Sequence, residues 1–285
     1  MQVVGRGGLQ EHSAIVVGTM SVRQKGAAIG EKRSVLHGAD HMIPRRQVQT
    51  ALQLIFPPRC IGCGDLVEID FQLCGRCWSD TPFIRGVICD VCGAPLPGEE
   101  TGQTEICDDC MRTPRPWEQG RAVLVYEDKA RQMVMRLKHG DRHDVVHPAG
   151  RWMAKAARVL IQSDTIVCPI PLHWGRFLRR RYNQSALLAD AMARQLNLRH
   201  IPDLLLRCRA TVSMEGMSKA ERFANLDDSI IANPKFVDHI QGADILLVDD
   251  VMTSGATFAA ASEACLATGA DQVNVISLAR VAKRP

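Results

Sequence analysis

From about residue 120 onward, short apolar runs alternate with longer stretches that carry an apolar face at helical spacing. The apolar runs predict strands at residues 121–126, 165–170, 244–249 and 272–279. The amphipathic or alanine-rich stretches predict helices at residues 128–138, 145–161, 184–196 and 256–267. Apolar strands that alternate with helices are typical of a parallel sheet covered on both faces, so we predict an α/β fold.

Capping residues support three of these helices. Asp128 and Asn183 stand where an N-cap is expected, and Gly140 and Gly269 stand where a helix would stop. The stretch 207–225 is polar and irregular, which predicts a loop.

The chain before residue 120 divides into two further parts. Residues 1–41 lack periodicity, and we expect little stable structure there. Met42 begins a short amphipathic stretch that Pro57 and Pro58 stop, so one hypothesis makes Met42 the true initiator. The predicted domains are therefore an N-terminal extension at 1–41, a cysteine-rich module with its leading helix at 42–115, and the α/β domain at 116–285.

Eight of the 11 cysteines form four Cys-x-x-Cys pairs within residues 60–110. A two-residue gap lets both thiolates of one turn point at one ion, and two such turns complete a tetrahedral zinc site. Four pairs in series in a chain without a signal-peptide pattern favour zinc, with scattered disulfides or an iron–sulfur cluster as the alternatives.

We expect two structural zinc ions, because eight thiolates fill both coordination shells and leave no open position. The expected ligands are Cys60, Cys63, Cys74 and Cys77 for one ion, and Cys89, Cys92, Cys107 and Cys110 for the other. Spacing alone leaves an interleaved pairing open.

Composition and charge narrow the class of protein. The 285 residues are 46% hydrophobic with a net charge of +4, which excludes a disordered chain. No apolar stretch approaches the roughly 18–20 residues of a membrane helix, and no signal peptide is evident, so we expect a cytoplasmic protein without membrane insertion.

Residues 111–209 carry 19 basic and 8 acidic side chains. Such a block indicates either an anionic partner, such as a phosphate compound or nucleic acid, or a set of solvated arginines.

The most informative segment is 245–257, where an apolar strand runs into two adjacent acids, a Thr-Ser-Gly-x-Thr turn and a helix. Free backbone N–H groups and the helix dipole suit a phosphate monoester, and three hydroxyl groups add donors. Asp249 and Asp250 can accept hydrogen bonds from vicinal sugar hydroxyls at the strand's carboxyl end, where open α/β sheets bind ligands. The segment is not a P-loop, because it lacks Gly-Lys-Ser/Thr.

This segment resembles the phosphoribosyl-pyrophosphate (PRPP) signature of the type I phosphoribosyltransferases. With the cysteine module, the chain from about 42 to 282 resembles the ComF family of competence-associated proteins. Further matching stretches are residues 56–63, 137–141, 169–173, 183–189 and 217–222. The resemblance implies a phosphoribosyltransferase-like parallel sheet flanked by helices, preceded by a double zinc ribbon. It also implies a part in handling incoming DNA during natural transformation.

The resemblance implies roles for individual residues. Asp249 and Asp250 would hold the ribose hydroxyls, and Arg179 and Arg180, with Arg181, would pair with pyrophosphate oxygens. Thr253, Ser254, Gly255, Ala256 and Thr257 would cradle the 5-phosphate, and Val251 and Met252 would also bind substrate. The pyrophosphate loop would include Pro171, Leu172 and His173. Lys138 is a weaker candidate for the pyrophosphate. Mg²⁺ would bridge pyrophosphate and ribose oxygens, and residues 209–225 would form a lid.

The sequence departs from the family at two positions. Family members often have glycine where Arg181 stands, and glutamine in the lid where Met214 stands. The first change would remove a flexible hinge near the anion site, and the second a polar contact.

Two functions of different classes follow. The first is pentosyl transfer, in which PRPP and Mg²⁺ bind, a nucleophile attacks C1 and pyrophosphate leaves; the sequence indicates no acceptor. The alternative is a non-catalytic protein on the same scaffold that handles single-stranded DNA with the competence machinery, mostly through electrostatic contacts. A third hypothesis is a PRPP-sensing regulator.

Overall fold

A computed structural model describes residues 56–100, 102–138, 143–208 and 229–282. These described residues belong to one compact unit. The predicted N-terminal extension and leading helix, Gly140, and the lid with Met214 lie outside the described residues. Within the described ranges, no helix has the length and apolar character needed to span a membrane.

Seven strands form two sheets in the described chain. They are β1 (Gly120–Val125), β2 (Ile166–Pro169), β3 (Arg199–His200), β4 (Leu205–Arg207), β5 (Ile230–Ala232), β6 (Asp244–Met252) and β7 (Gln272–Arg280). Five of them make a parallel sheet in the order β1-β7-β6-β2-β3, and β4 pairs antiparallel with β5. The predicted parallel α/β architecture is therefore confirmed.

Helices connect these strands and flank the large sheet. They are α1 (Gly75–Asp80), α2 (Asp108–Arg112), α3 (Asp128–Lys138), α4 (Val146–Ala157), α5 (Trp174–Arg180), α6 (Gln184–Leu196), α7 (Val237–Ile240) and α8 (Ala256–Ala267). Short 3₁₀ turns precede α4 (His143–Val145) and α7 (Pro234–Phe236). Asn183 caps α6 as predicted, because its side chain accepts a hydrogen bond from Ser185 N at 3.0 Å. Asp128 is the first residue of α3 rather than its cap.

Both faces of the large sheet are buried, which explains the continuous apolar runs of its central strands. Along β6, Ile245 and Leu247 point into one core, whereas Leu246 and Val248 point into the other. This alternation follows from the two-residue period of a strand.

The cysteine module consists of two similar units, which we name the first ribbon (residues 59–80) and the second ribbon (residues 88–112). Each has one isolated antiparallel bridge around its first Cys-x-x-Cys pair, Arg59 with Leu66 and Ile88 with Pro95. The first ribbon contributes buried residues to the core that contains Leu246, and the second ribbon contributes to the opposite core. The two ribbons therefore pack on opposite faces of the sheet.

The segment between the ribbons covers the edge of the sheet. Ile84 N donates to Val123 O, and Val125 N donates to Pro82 O, both at 2.9 Å. These bonds satisfy backbone groups that an edge strand such as β1 would otherwise leave open for pairing with another chain.

Candidate anion site and cysteine clusters

The two sequence segments predicted to bind the ligand meet at one edge of the sheet. Strands β2 and β6 are parallel neighbours, with Pro169 opposite Val248. Ile170 N extends this pairing with a hydrogen bond of 2.8 Å to Val248 O. Pro171–His173 and the Asp249–Asp250 pair therefore lie side by side at the carboxyl edge, where ligands of open α/β sheets bind.

The two acidic side chains have different surroundings. Asp249 Oδ1 accepts hydrogen bonds from Ser185 Oγ at 2.7 Å and from Asp250 N at 2.8 Å. Asp250 is 4% exposed, and its Oδ2 lies 3.2 Å from Lys138 Nζ. That oxygen accepts no well-aligned hydrogen bond from a described group. The pair thus offers a buried carboxylate oxygen with spare accepting capacity.

Burial and the charge of Asp250 raise the pKa of Asp249 to about 7. The hydrogen bonds from Ser185 and from Asp250 N, together with the Lys138 charge, oppose this rise. Near neutral pH, both protonation states of Asp249 are therefore populated. The protonated carboxyl can donate a hydrogen bond, whereas the carboxylate only accepts.

The turn after β6 has the form of an anion-binding helix start. Gly255 is the N-cap of α8 and has φ +82°, a conformation that favours glycine. Among the described groups, no hydrogen-bond acceptor is bound by the N–H groups of Thr253, Ser254 or Gly255. Their donors are available at the positive end of a 12-residue helix.

The carbonyl groups of the same turn accept hydrogen bonds from two arginines that the sequence analysis missed. Arg280 Nη1 donates to Met252 O at 3.2 Å and to Thr253 O. Arg115 Nη1 donates to Ser254 O at 2.9 Å. No local pattern marks these residues, because Arg115 lies 139 positions from its partner in the sequence.

The predicted pyrophosphate-side residues are only partly brought to the site. His173 Nδ1 accepts a hydrogen bond from Gly175 N at 3.3 Å within its own loop. Arg180 Nη1 donates to Gln184 Oε1 at 3.2 Å. Arg179 lies in α5, but its side chain is outside the described part of the structure. The sequence predicts Lys138 only as a weaker candidate for binding the pyrophosphate. In the structure it lies at the acidic pair, because it forms an ion pair with Asp250.

The eight paired cysteines form two clusters, and within each cluster the sulfur atoms lie within 4.8 Å of one another. One cluster contains Cys60, Cys63, Cys74 and Cys77, and the other contains Cys89, Cys92, Cys107 and Cys110. The structure thus groups the cysteines consecutively and not in the interleaved arrangement. The three remaining cysteines, Cys168, Cys208 and Cys265, stay outside these clusters.

Both clusters fit structural zinc. In the first, Gly62 N and Cys74 N donate to Cys60 Sγ at 3.3 and 3.2 Å, and in the second, Cys107 N donates to Cys89 Sγ at 3.3 Å. Such N–H···S bonds stabilise a thiolate, which is the form that binds zinc. Hydrogen bonds from Cys110 and Cys89, with the nearby Arg280 charge, also lower the pKa of Cys92. Four thiol ligands per cluster match the tetrahedral preference of zinc.

Fold and cysteine clusters together define a zinc-ribbon protein built onto a parallel α/β sheet. Residues 51–111 match the double zinc ribbon domain family.

Relatives match much more of the chain. The DNA utilization protein YhgH of Salmonella typhimurium is 30% identical over 202 residues, which cover 69% of this chain and 85% of the relative. Competence protein ComFC of Bacillus subtilis is 29% identical over 211 residues, covering 72% and 82%. Competence protein F of Haemophilus influenzae is 25% identical over 229 residues, covering 78% and 96%. The chain belongs to the ComF family.

Proposed function

We propose that this protein binds PRPP together with Mg²⁺ at the carboxyl edge of its sheet and transfers the phosphoribosyl group to an acceptor. The supporting observation is the polarity of the turn after β6. Arginines bind its carbonyls, while the N–H groups of Thr253, Ser254 and Gly255 have no described protein partner. A turn arranged in this way is complementary to a phosphate.

In this proposal each part of the edge binds one part of the ligand. The turn Thr253–Thr257 holds the 5-phosphate, and Asp249 and Asp250 accept hydrogen bonds from the ribose hydroxyls. The loop Pro171–His173 lies beside them, on the side expected for the pyrophosphate, and Arg179 and Arg180 are the candidate cations. Mg²⁺ would neutralise pyrophosphate charge between these groups.

The chain's contribution to transfer is positioning and electrostatic stabilisation. The acceptor's lone pair forms a bond to C1 while the bond from C1 to the pyrophosphate oxygen breaks, and pyrophosphate leaves with that electron pair. In this proposal the carboxylates also stabilise the positive charge that develops on the ribose ring. No covalent attachment to the protein is required.

Isothermal titration with PRPP and Mg²⁺ tests the binding step. We expect wild-type protein to bind, and Asp250→Asn to weaken binding by about 10- to 100-fold, because a hydrogen bond to a charged group contributes about 1.5–3 kcal/mol. Asp244→Asn is the matched control, because Asp244 begins β6 at the opposite end of the same strand. Absence of binding by the wild-type protein would overturn the proposal.

Transfer itself is tested by pyrophosphate release over a panel of nitrogen nucleophiles, including free bases and amines. Release that depends on one acceptor class and disappears in Asp250→Asn identifies an enzyme. PRPP binding without release from any of these acceptors would contradict phosphoribosyl transfer to nitrogen and leave a PRPP-binding protein.

A second candidate function, in DNA uptake, is supported by the names of the relatives, two competence proteins and a DNA utilization protein. The basic block at residues 111–209 is compatible with it. We expect the affinity for single-stranded DNA to fall steeply with salt, because phosphate contacts release counterions. A flat salt response would contradict direct DNA binding.

A further inference from the structure

The phosphate turn and the second ribbon share a buried arginine. Arg280 is 5% exposed, and its guanidinium binds the backbone carbonyls of Met252, Thr253 and Val281. Its Nη2 lies 3.7 Å from Cys92 Sγ in the second cysteine cluster. One planar group therefore contacts both the turn and a predicted zinc ligand.

A second arginine makes the same connection by another route. Arg115 has a side chain that is only 1% exposed, and it binds Ser254 O at 2.9 Å through Nη1. Its Nη2 contacts Asp109 Oδ2 at 2.8 Å, and Asp109 lies between the ligand residues Cys107 and Cys110. The guanidinium carbon is 5.6 Å from the centre of the Trp117 ring.

Trp117 and Gly255 show how tightly the turn is held. Trp117 Nε1 donates to Val91 O at 2.6 Å, and Val91 lies within the Cys89–Cys92 pair. A Cβ atom on Gly255 would lie 3.0 Å from the Trp117 ring and 3.4 Å from Arg115 Nη1. The turn therefore has little room to move toward the second ribbon.

We propose that Arg280 and Arg115 are positioning residues that fix the phosphate-binding turn on the second cysteine cluster. The inference rests on the proposed function at this turn. By binding the carbonyls of Met252, Thr253 and Ser254, the two guanidinium groups orient the peptide units so that their N–H groups face the ligand. Because coupling between two sites is reciprocal, ligand at the turn must also stabilise the metal-loaded second cluster.

The binding test uses ribose 5-phosphate with Arg280→Met and Arg115→Met. We expect each to weaken ribose 5-phosphate binding by about 5- to 150-fold, the usual range for coupled sites. Arg121→Met is the matched control, because Arg121 pairs with Asp90 of the same ribbon at 2.7 Å but makes no described contact with the turn. It should change affinity by less than about twofold.

The ligand-dependent change in the rate of zinc release supplies a second readout besides ligand affinity. A chelating dye measures the rate of zinc release with and without saturating ribose 5-phosphate. Cys63→Ser removes a ligand of the first cluster, so the phase that it leaves unaltered is assigned to the second cluster. Ligand should slow that phase in the wild type and in Arg121→Met, and should slow it less in Arg280→Met and Arg115→Met.

The outcomes separate the two proposals. Wild-type protein that does not bind ribose 5-phosphate or PRPP overturns the proposed function. Wild-type protein that binds, with equal affinity and equal ligand-dependent slowing in both arginine variants, overturns the positioning role alone. If Arg280→Met does not fold, Arg280→Lys and Arg115→Met decide the matter, because lysine retains the charge but cannot bridge the turn and Cys92 together.

Discussion

At the residue scale, Arg181 occupies a backbone conformation that favours glycine, with φ +63°. This is the position where ComF proteins often carry glycine, so the structure gives that preference a conformational reason. Arg181→Gly should remove about 1–2 kcal/mol of strain while adding about 0.4–1 kcal/mol of chain entropy cost. We therefore expect a net stabilisation of up to about 1.6 kcal/mol in urea unfolding.

Asn197→Gly is the control for Arg181→Gly. Asn197 has φ +55°, and asparagine adopts this region more readily than arginine. Its replacement should therefore give a smaller gain. Unchanged or reduced stability of Arg181→Gly would show that the Arg181 side chain contributes more than the strain costs.

Asp249 gives the site a pH dependence whose sign follows from its pKa of about 7. Between about pH 4 and pH 7, the folded protein retains a proton that the unfolded chain has released. The contribution of Asp249 to stability therefore falls as the pH rises through this window. Asp249→Asn removes this effect while keeping an oxygen that can accept from Ser185.

Thermal unfolding of ligand-free protein at several pH values measures this effect. The melting temperature of Asp249→Asn relative to wild type should rise by several degrees from pH 4 to pH 8. Parallel curves for the two proteins would contradict a raised pKa at Asp249. Asp238→Asn in α7, where the side chain is exposed, serves as a control for the loss of one surface carboxyl.

The candidate site was only partly predictable from its residues. Asp249, Asp250 and the turn form one continuous segment, so their chemistry is visible in the sequence. Ser185, Arg115 and Arg280 contact that segment across 64, 139 and 27 positions. Such contacts depend on the order of strands in the sheet, which a local pattern does not specify.

At the element scale, the sequence predicts those helices and strands whose hydrophobic positions repeat with a clear period. The long helices and the buried strands appear close to their predicted bounds, whereas α1, α2, α5 and α7 have only 4 to 7 residues. Helices of one or two turns do not establish a hydrophobic period. Strand β6 also runs three residues beyond its predicted end, because β7 continues to pair with it up to Met252 opposite Arg280.

The packing of the second ribbon against β1 depends on a glycine. Gly93 has φ +68°, and a Cβ atom there would lie 2.6 Å from Ala122 N. Gly93→Ala should therefore cost about 1–2 kcal/mol in backbone strain and a further 1–3 kcal/mol in overpacking. Chemical denaturation measures the sum.

Gly86→Ala separates these two effects. Gly86 has φ +71°, but a Cβ atom would meet nothing within 4 Å. It should therefore show the strain cost alone. Equal destabilisation by the two substitutions would mean that the second ribbon can move away from β1 without loss.

At the scale of the whole molecule, the ribbons are structural parts of both cores. Cys60 and Cys77 are buried with the helices on one face of the sheet, and Cys89, Cys92 and Cys110 are buried with α8 on the other. The cysteine spacing predicts a module with little core of its own. The structure shows where that missing core lies, because the ribbons share the apolar residues of the sheet.

This shared packing predicts that zinc and the sheet are lost together. Because the second-cluster cysteines are buried against the sheet, removing their metal exposes apolar surface on both partners. We expect one cooperative thermal transition in which helical circular dichroism and dye-detected zinc release coincide. Cys92→Ser should lower its midpoint more than Cys63→Ser, because Cys92 is fully buried beside Arg280 whereas Cys63 is exposed. An early transition that releases both zinc ions while the circular dichroism of the sheet and helices persists would show that the ribbons unfold as independent modules.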